Sequence, residues 1–577
     1  MHHLTPSPVL EEPITEQSNV LSSNIDAASA TEIAAILYAC DLEIFHGWRG
    51  STGVHDGHLH DKMAKVAEKI SEVIQKPGGS VIFSGCGTSG RLAFLTARTF
   101  NRYLKSLGRP ECFQYLIAGG DRALFKSMEL AEDDPIVGAH VLKEATRDKT
   151  QVVFVGISCG MSAPFVAGQL DYCMNRLDVF TPVLIGFNYT HQARNTVIEK
   201  WDKTFLQVVQ EMEKAEKLWQ AFILNPIIGP EPITGSSRMK SGTTTRILLD
   251  ILSVVAVHGF PQCMIGELVS LYEAACHSVY KHREQLGSLI QLAASCLIKG
   301  GHVYYLGANG TGLTAMIDAS ECPPTFGASF NDIRGFVDGG FSQLDNNEGD
   351  LSNLGPDYKL SLADFAKDIQ PDLRANDLVV FLDQDQFHKQ WETFMMPCRR
   401  VLVTCGDRQV STEEPACDLV INISLDLPLL KTCTPEHVKK LVYQLATEMC
   451  IKWLVNCLST GAHVLKGKVY QNKMVDVRVS NSKLFHRAAA IIQKYCGLSV
   501  EEATEYLLRS IYRTDSLTVD QRSSPVVNNI IVASQQDKVV PTAMLMASLR
   551  CSVQEAESML GREPIISKLL RTPGTGL

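Results

Sequence analysis

At 577 residues the chain is too long for one hydrophobic core, and three or four domains are expected. A hydrophobic fraction of 45% with 20% charged residues fits a soluble globular protein, and a net charge of -9 without a basic stripe argues against nucleic-acid binding. No charged-then-apolar leader opens the sequence and no apolar run nears the ~20 residues needed to cross a bilayer, so an intracellular protein is expected. The 17 cysteines are scattered with none in a Cys-x-x-Cys pair, which leaves no zinc or redox motif.

Residues 1–30 are rich in Ser, Thr, Pro and Glu and read as a disordered tail. Ile33, Ile36, Leu37 and Cys40 recur at helical spacing and open a first domain over 31–285, with an amphipathic helix over 62–74. Val81, Ile82 and Phe83 form a short apolar strand, and Leu92 to Leu95 begin a helix. Between them lies Gly85-Cys86-Gly87-Thr88-Ser89-Gly90-Arg91. Its glycines let the backbone turn tightly, and the helix start presents unpaired N–H groups and a positive dipole end. That is an anion site, and the hydroxyls of Thr88 and Ser89 suit a phosphate ester.

The Gly-x-Gly-x-x-Gly spacing also fits a dinucleotide fingerprint. However, no acidic residue ends a strand about 20 residues on, and no Gly-Lys-Ser/Thr follows, so neither a nicotinamide nor an ATP site is indicated and no cofactor is expected. A strand over 152–156 leads into Ser158-Cys159-Gly160, then a helix and a strand over 182–187. Such alternation predicts an α/β, doubly wound parallel sheet with both turns opening on one edge. Between the turns, Glu129 and Glu132 are candidates to accept sugar hydroxyls. The polar run over 229–242 reads as a capped, structural helix start, and Cys86, Cys159 and Cys322 read as packing residues.

The segment Gly301 to Gly312 repeats strand, turn and helix at a shift of 307 − 85 = 222, which predicts a second domain over 286–495. Its strands over 378–382 and 401–404 match 152–156 and 182–187. Its counterpart of Ser158-Cys159-Gly160 is Asp383-Gln384-Asp385, whose carboxylates repel phosphate, so the second site is expected to be degenerate. Residues 496–577 read as a small all-α cap in which Ser499/Glu502 and Ser552/Glu555 form two capping boxes. Ahead of it, Lys483 and Arg487 lie four apart on one helix face, with Asn481 beside them.

Several of these motifs are long: the turn 85–91, Ile117 to Gly120, the 229–240 run, the 318–327 run with Glu321-Cys322-Pro323-Pro324, and the 467–476 run. They resemble sugar isomerase (SIS) domain proteins of the N-acetylmuramic acid 6-phosphate etherase type. Two such domains in tandem followed by a helical cap are similar to the glucokinase regulatory protein family. The resemblance implies a non-catalytic inhibitor of glucokinase that senses fructose 6-phosphate and fructose 1-phosphate, resides in cytoplasm and nucleus, and holds the ester between the two domains and the cap. Carried over, the binding positions are Thr88, Ser89, Glu132, Ser158, Cys159, Gly160 and Lys483, with Asn481, Arg487 and Glu321 nearby. The partner-binding positions are Leu429 and Leu430.

Two departures stand out. In the first copy Thr99 replaces a glutamate that the etherases use for acid/base chemistry, and Glu321 survives only in the second copy, so elimination lacks a group unless the lobes bring Glu321 to Glu132. The family's apolar Leu-Leu-Phe contact appears as Leu429-Leu430-Lys431, a change at a hot spot of roughly 2 kcal/mol. The alternative to a regulator is a phosphosugar lyase of the etherase type.

Overall fold

A computed structural model describes residues 12–126, 128–198, 201–383, 396–406, 417–425, 434–479 and 482–571. The first lobe is built on β1 (Gly79–Gly85), β2 (Phe113–Ile117), β3 (Gln151–Ile157), β4 (Phe180–Ile185) and β5 (Phe222–Leu224), all parallel in the order β2-β1-β3-β4-β5. Six of the seven residues of β1 and of β3 are buried, as expected for central strands covered on both faces by helices. The second lobe uses β6 (Val303–Gly307), β7 (Ile333–Val337), β8 (Leu378–Asp383), β9 (Arg399–Cys405) and β10 (Leu419–Ile423) in the order β7-β6-β8-β9-β10. The same order recurs strand for strand, so the duplication read from the repeated turn extends through the whole sheet.

Close helix packing fixes the ligand edge of the first lobe. Helices Pro135–Ala145 and Pro164–Met174 cross at Gly138 and Gly168. A Cβ at Gly168 would lie 1.9 Å from the Pro135 carbonyl oxygen, and one at Gly138 would lie 2.1 Å from that of Phe165. Because Pro164–Met174 leaves the turn after β3, this crossing sets where that turn points.

A 30-residue helix, Glu436–Leu465, runs through the middle of the molecule and is buried along nearly its whole length. Glu448, Lys452, Asn456, Ser459, Thr460 and His463 recur every three or four residues and form a polar stripe inside the protein. The stripe joins the lobes. Arg238 of the first lobe donates to Asp318 (2.7 Å), Ser459 (3.1 Å) and Thr460 (2.7 Å). Asp318 also accepts from Asn456 at 2.6 Å, Lys452 donates to the Arg238 carbonyl at 2.9 Å, and Arg246 pairs with Glu448 at 2.8 Å. A second clip lies at the sheet edge, where Glu348 accepts from the Asp121 N–H at 2.8 Å and donates its own N–H back to Asp121 at 2.6 Å.

Two boundaries differ from the sequence reading. Within the expected tail, residues 12–28 carry three short 3-10 turns, with Ile14 and Ile25 buried. The composition is polar, but the polar groups pin the segment: Asn19 donates to the Pro230 carbonyl and to Glu43, each at 2.9 Å, and Asn472 donates to the Asn19 carbonyl at 2.8 Å. Helix Ser482–Cys496, assigned from sequence to the second domain, buries Phe485, Ala488 and Ile492 in the core of the helical cap, against Leu507, Ile511 and Met544. Both expected capping boxes, at Ser499 and Ser552, are formed.

Removing one partner of a buried, hydrogen-bonded ion pair leaves an uncompensated charge, so Asp318→Ala is expected to lower the unfolding free energy by about 3–5 kcal/mol. The check is a urea titration. A change within ~0.5 kcal/mol of wild type would show that the stripe does not hold the lobes together.

Candidate functional site

The parallel register Gly85↔Ile157 sets the ends of β1 and β3 side by side, at the point where the strand order reverses. Helix Gly87–Ser106 follows β1 at once. Its N-cap, Cys86, supplies no side-chain hydrogen bond, and the Glu132 carboxyl lies beside the first turn, where a Cβ on Gly87 would be 3.5 Å from its Oε1. Gly87 sits at φ +48°, and a Cβ on Gly90 would lie 2.5 Å from Ile117, so both positions need glycine. After β3, the Ser158 hydroxyl oxygen accepts from the N–H groups of Ser162 (3.1 Å) and Ala163 (3.2 Å), which leaves its own O–H to donate elsewhere. The two turns touch through Ser89 Oγ and Cys159 Sγ at 3.5 Å.

These turns open into two connected chambers of about 640 Å³ and 170 Å³. The smaller holds Ser89, Ser158, Cys159 and Gly160, and the larger holds Thr88, Arg91, Arg238, Glu321 and Arg487. Glu16, Cys86, Glu132, Gly235 and Ser237 border both. Eight of the positions anticipated from sequence, Thr88, Ser89, Glu132, Ser158, Cys159, Gly160, Glu321 and Arg487, therefore share one site. Asn481, Leu429, Leu430 and Lys431 lie outside the described residues, as does the side chain of Lys483, whose backbone belongs to helix Ser482–Cys496.

Glu321 crosses from the second lobe to meet the first. Its carboxyl is pushed above the usual range by burial and pulled back chiefly by Arg91, with Nη1 at 4.0 Å, and by the Thr88 hydroxyl. Arg91 is 2% exposed and donates through Nε to the Leu124 carbonyl at 3.2 Å; among the described residues its Nη2 has no partner. An orphaned guanidinium nitrogen on the wall of a polar cavity suits an anionic guest. The thiol of Cys159 is pushed up to about 11 and that of Cys86 is raised as well, both by burial first, so both stay protonated and are packing groups, as read from the sequence.

The polar run over 229–242 is both structural and part of the site. The buried Glu231 carboxylate accepts from the N–H groups of Lys240 and Ser241, each at 2.9 Å, and so fills the start of helix Lys240–His258 with the protein's own anion. Just ahead of that start, Gly235 and Ser237 border both chambers. The second lobe also carries a carboxyl at its turn. Glu448 lies so close over Gly310 that a Cβ there would be 1.8 Å from its Oε1, placing a fixed carboxylate at the turn that answers to Thr88.

Several lining residues escaped the sequence reading. Thr15 and Glu16 come from the segment taken as a tail, held because Asn188 accepts the Thr15 N–H and donates to the Gly160 carbonyl, both at 3.0 Å. Arg238 belongs at once to the lobe joint and to the cavity wall. Its Arg-Met-Lys context gave no periodic signal, whereas Arg91 ended the turn motif and was within reach of the reading.

Family profiles described as the glucokinase regulatory protein N-terminal SIS domain, second SIS domain and C-terminal lid domain match residues 65–174, 280–390 and 471–570. The glucokinase regulatory protein of Xenopus laevis is 37% identical over 569 residues, covering 95% of this chain and 91% of that protein. That of Homo sapiens is 39% identical over 583 residues, covering 98% and 93%. An N-acetylmuramic acid 6-phosphate etherase of Lactobacillus acidophilus is 30% identical over 240 residues, 41% of this chain and 68% of the enzyme. With two parallel-sheet SIS lobes, a helical lid and likeness across nearly its whole length, the chain belongs to the glucokinase regulatory protein family.

Proposed function

We propose that the chain is a regulator that binds and inhibits glucokinase and responds to fructose 6-phosphate or fructose 1-phosphate held between the lobes and the lid. The observation that carries this reading is the convergence of the two hydroxyl-bearing turns, Cys86 to Gly90 and Ser158 to Gly160, on one cavity that Arg487 of the lid and Glu321 of the second lobe also reach. A sugar phosphate there touches all three bodies. It can therefore shift their relative populations, provided it binds one arrangement better than another. The Thr99 hydroxyl, in place of a glutamate, is turned back to the Leu95 carbonyl at 2.8 Å and takes no part in the site. Residence in cytoplasm and nucleus belongs to the same reading.

The test is a glucokinase assay with purified chain and each ester. Inhibition is expected, with its strength altered by the esters, and Ser89→Ala is expected to weaken ester affinity by about 1–2 kcal/mol, roughly 5- to 30-fold. No inhibition under any combination would reject the reading.

One observation favours a second reading. Glu132 and Glu321 border the same chamber, which meets the requirement for an acid and a base in one site, and burial raises Glu321 toward the range of a general acid. Incubation with N-acetylmuramic acid 6-phosphate decides. The regulator reading predicts no lactate above background, whereas lactate released by wild type and lost in Glu321→Gln would establish a lyase.

A further inference from the structure

The larger chamber has a cationic wall on its lid side, beyond the Ser89 and Ser158 hydroxyls of the smaller one. Lys473, from the hairpin that precedes the lid, lines it together with Arg487 and Lys494. The latter two are seven residues apart on helix Ser482–Cys496 and so share a face. Among the described residues, none of the three is held by an ion pair. The Lys473 ammonium is pushed below its usual range, by burial first and next by the neighbouring Lys494. Two ammoniums in such proximity repel unless an anion lies between them. Glu12 and Glu16 reach the same mouth from the amino-terminal segment without closing an ion pair. The Glu16 carboxyl is pushed up by burial and then by Glu12, while Arg487 and Lys473 pull it down.

We propose that Lys473, Arg487 and Lys494 form a second anion site selective for a phosphoryl group, carried on the far end of a ketose bisphosphate spanning both chambers or present as free phosphate beside a monophosphate. The proposal rests on the reading of the smaller chamber as a sugar-phosphate seat. Three cations on one chamber wall suit a dianion with three acceptor oxygens better than a single carboxylate. The five residues that border both chambers set them side by side, with the Ser89 and Ser158 hydroxyls in one and the lid cations in the other.

The experiment is isothermal titration of the full chain, as wild type, Lys473→Met and Lys494→Met, with fructose 6-phosphate, fructose 1,6-bisphosphate and inorganic phosphate. The bisphosphate is expected to bind wild type on the order of tenfold tighter than the monophosphate, and either substitution to erase that margin while changing fructose 6-phosphate affinity by less than about twofold. If the second group is free phosphate, adding it strengthens fructose 6-phosphate binding in wild type and not in the variants. Equal affinities of mono- and bisphosphate in wild type, with no effect of inorganic phosphate, overturn the proposal. Should fructose 6-phosphate fail to bind wild type at all, the smaller-chamber reading falls on its own. The second site is then judged by the phosphate-dependent rise in Tm: a rise lost in both variants supports it, and no rise in wild type rejects it.

Discussion

The parallel pairing of β1 with β3, from Gly79↔Gln151 to Gly85↔Ile157, is the constraint on which the rest depends. It places one strand-to-helix turn and one strand-to-loop turn at the same height on the same edge. It also sets the start of helix Gly87–Ser106 beside the second turn, where Ser89 meets Cys159. The second lobe repeats the topology but sets the Glu448 carboxyl against Gly310 at its own turn, whereas Glu231 accepts two N–H bonds at the start of helix Lys240–His258. Glu231 thus fills one helix start, whereas the start after β1 is bordered by the Thr88 and Ser89 hydroxyls and by Arg91.

The joint between the lobes reaches that seat. Buried ion pairs add little net stability when set against apolar packing, yet they fix geometry, because every misplacement strands a charge. Arg238 shows the consequence: one end of the guanidinium is locked to Asp318, Ser459 and Thr460, while the residue borders the larger chamber. Arg91 and Glu321 meet across the lobes in the same wall. A guest in the cavity would therefore contact the groups that set how the lobes sit together.

What the sequence revealed follows from locality. The turn 85–91 declares itself because strand, glycines, hydroxyls and helix are contiguous, and the duplication because the second copy keeps the same spacing. Ser158 follows from its position after a strand and Glu132 from its position between the two turns, whereas Glu321 enters through resemblance. What was missed depends on distant partners. A polar segment such as 12–28 has no periodicity to betray that Asn19, Asn188 and Asn472 will pin it. The apolar face of Ser482–Cys496 reads equally well against either neighbour, and only the packed structure assigns it to the lid. The polar stripe of Glu436–Leu465 resembles a solvated face in sequence and is a buried joint in three dimensions.

The most direct measurement of the central claim is a crystal structure of the chain with fructose 6-phosphate bound. The account predicts phosphate oxygens within about 3 Å of the Ser89 and Ser158 hydroxyls and of the first N–H groups of helix Gly87–Ser106. Phosphate density at the Gly307 to Gly312 turn of the second lobe, or at a surface away from both chambers, would contradict it.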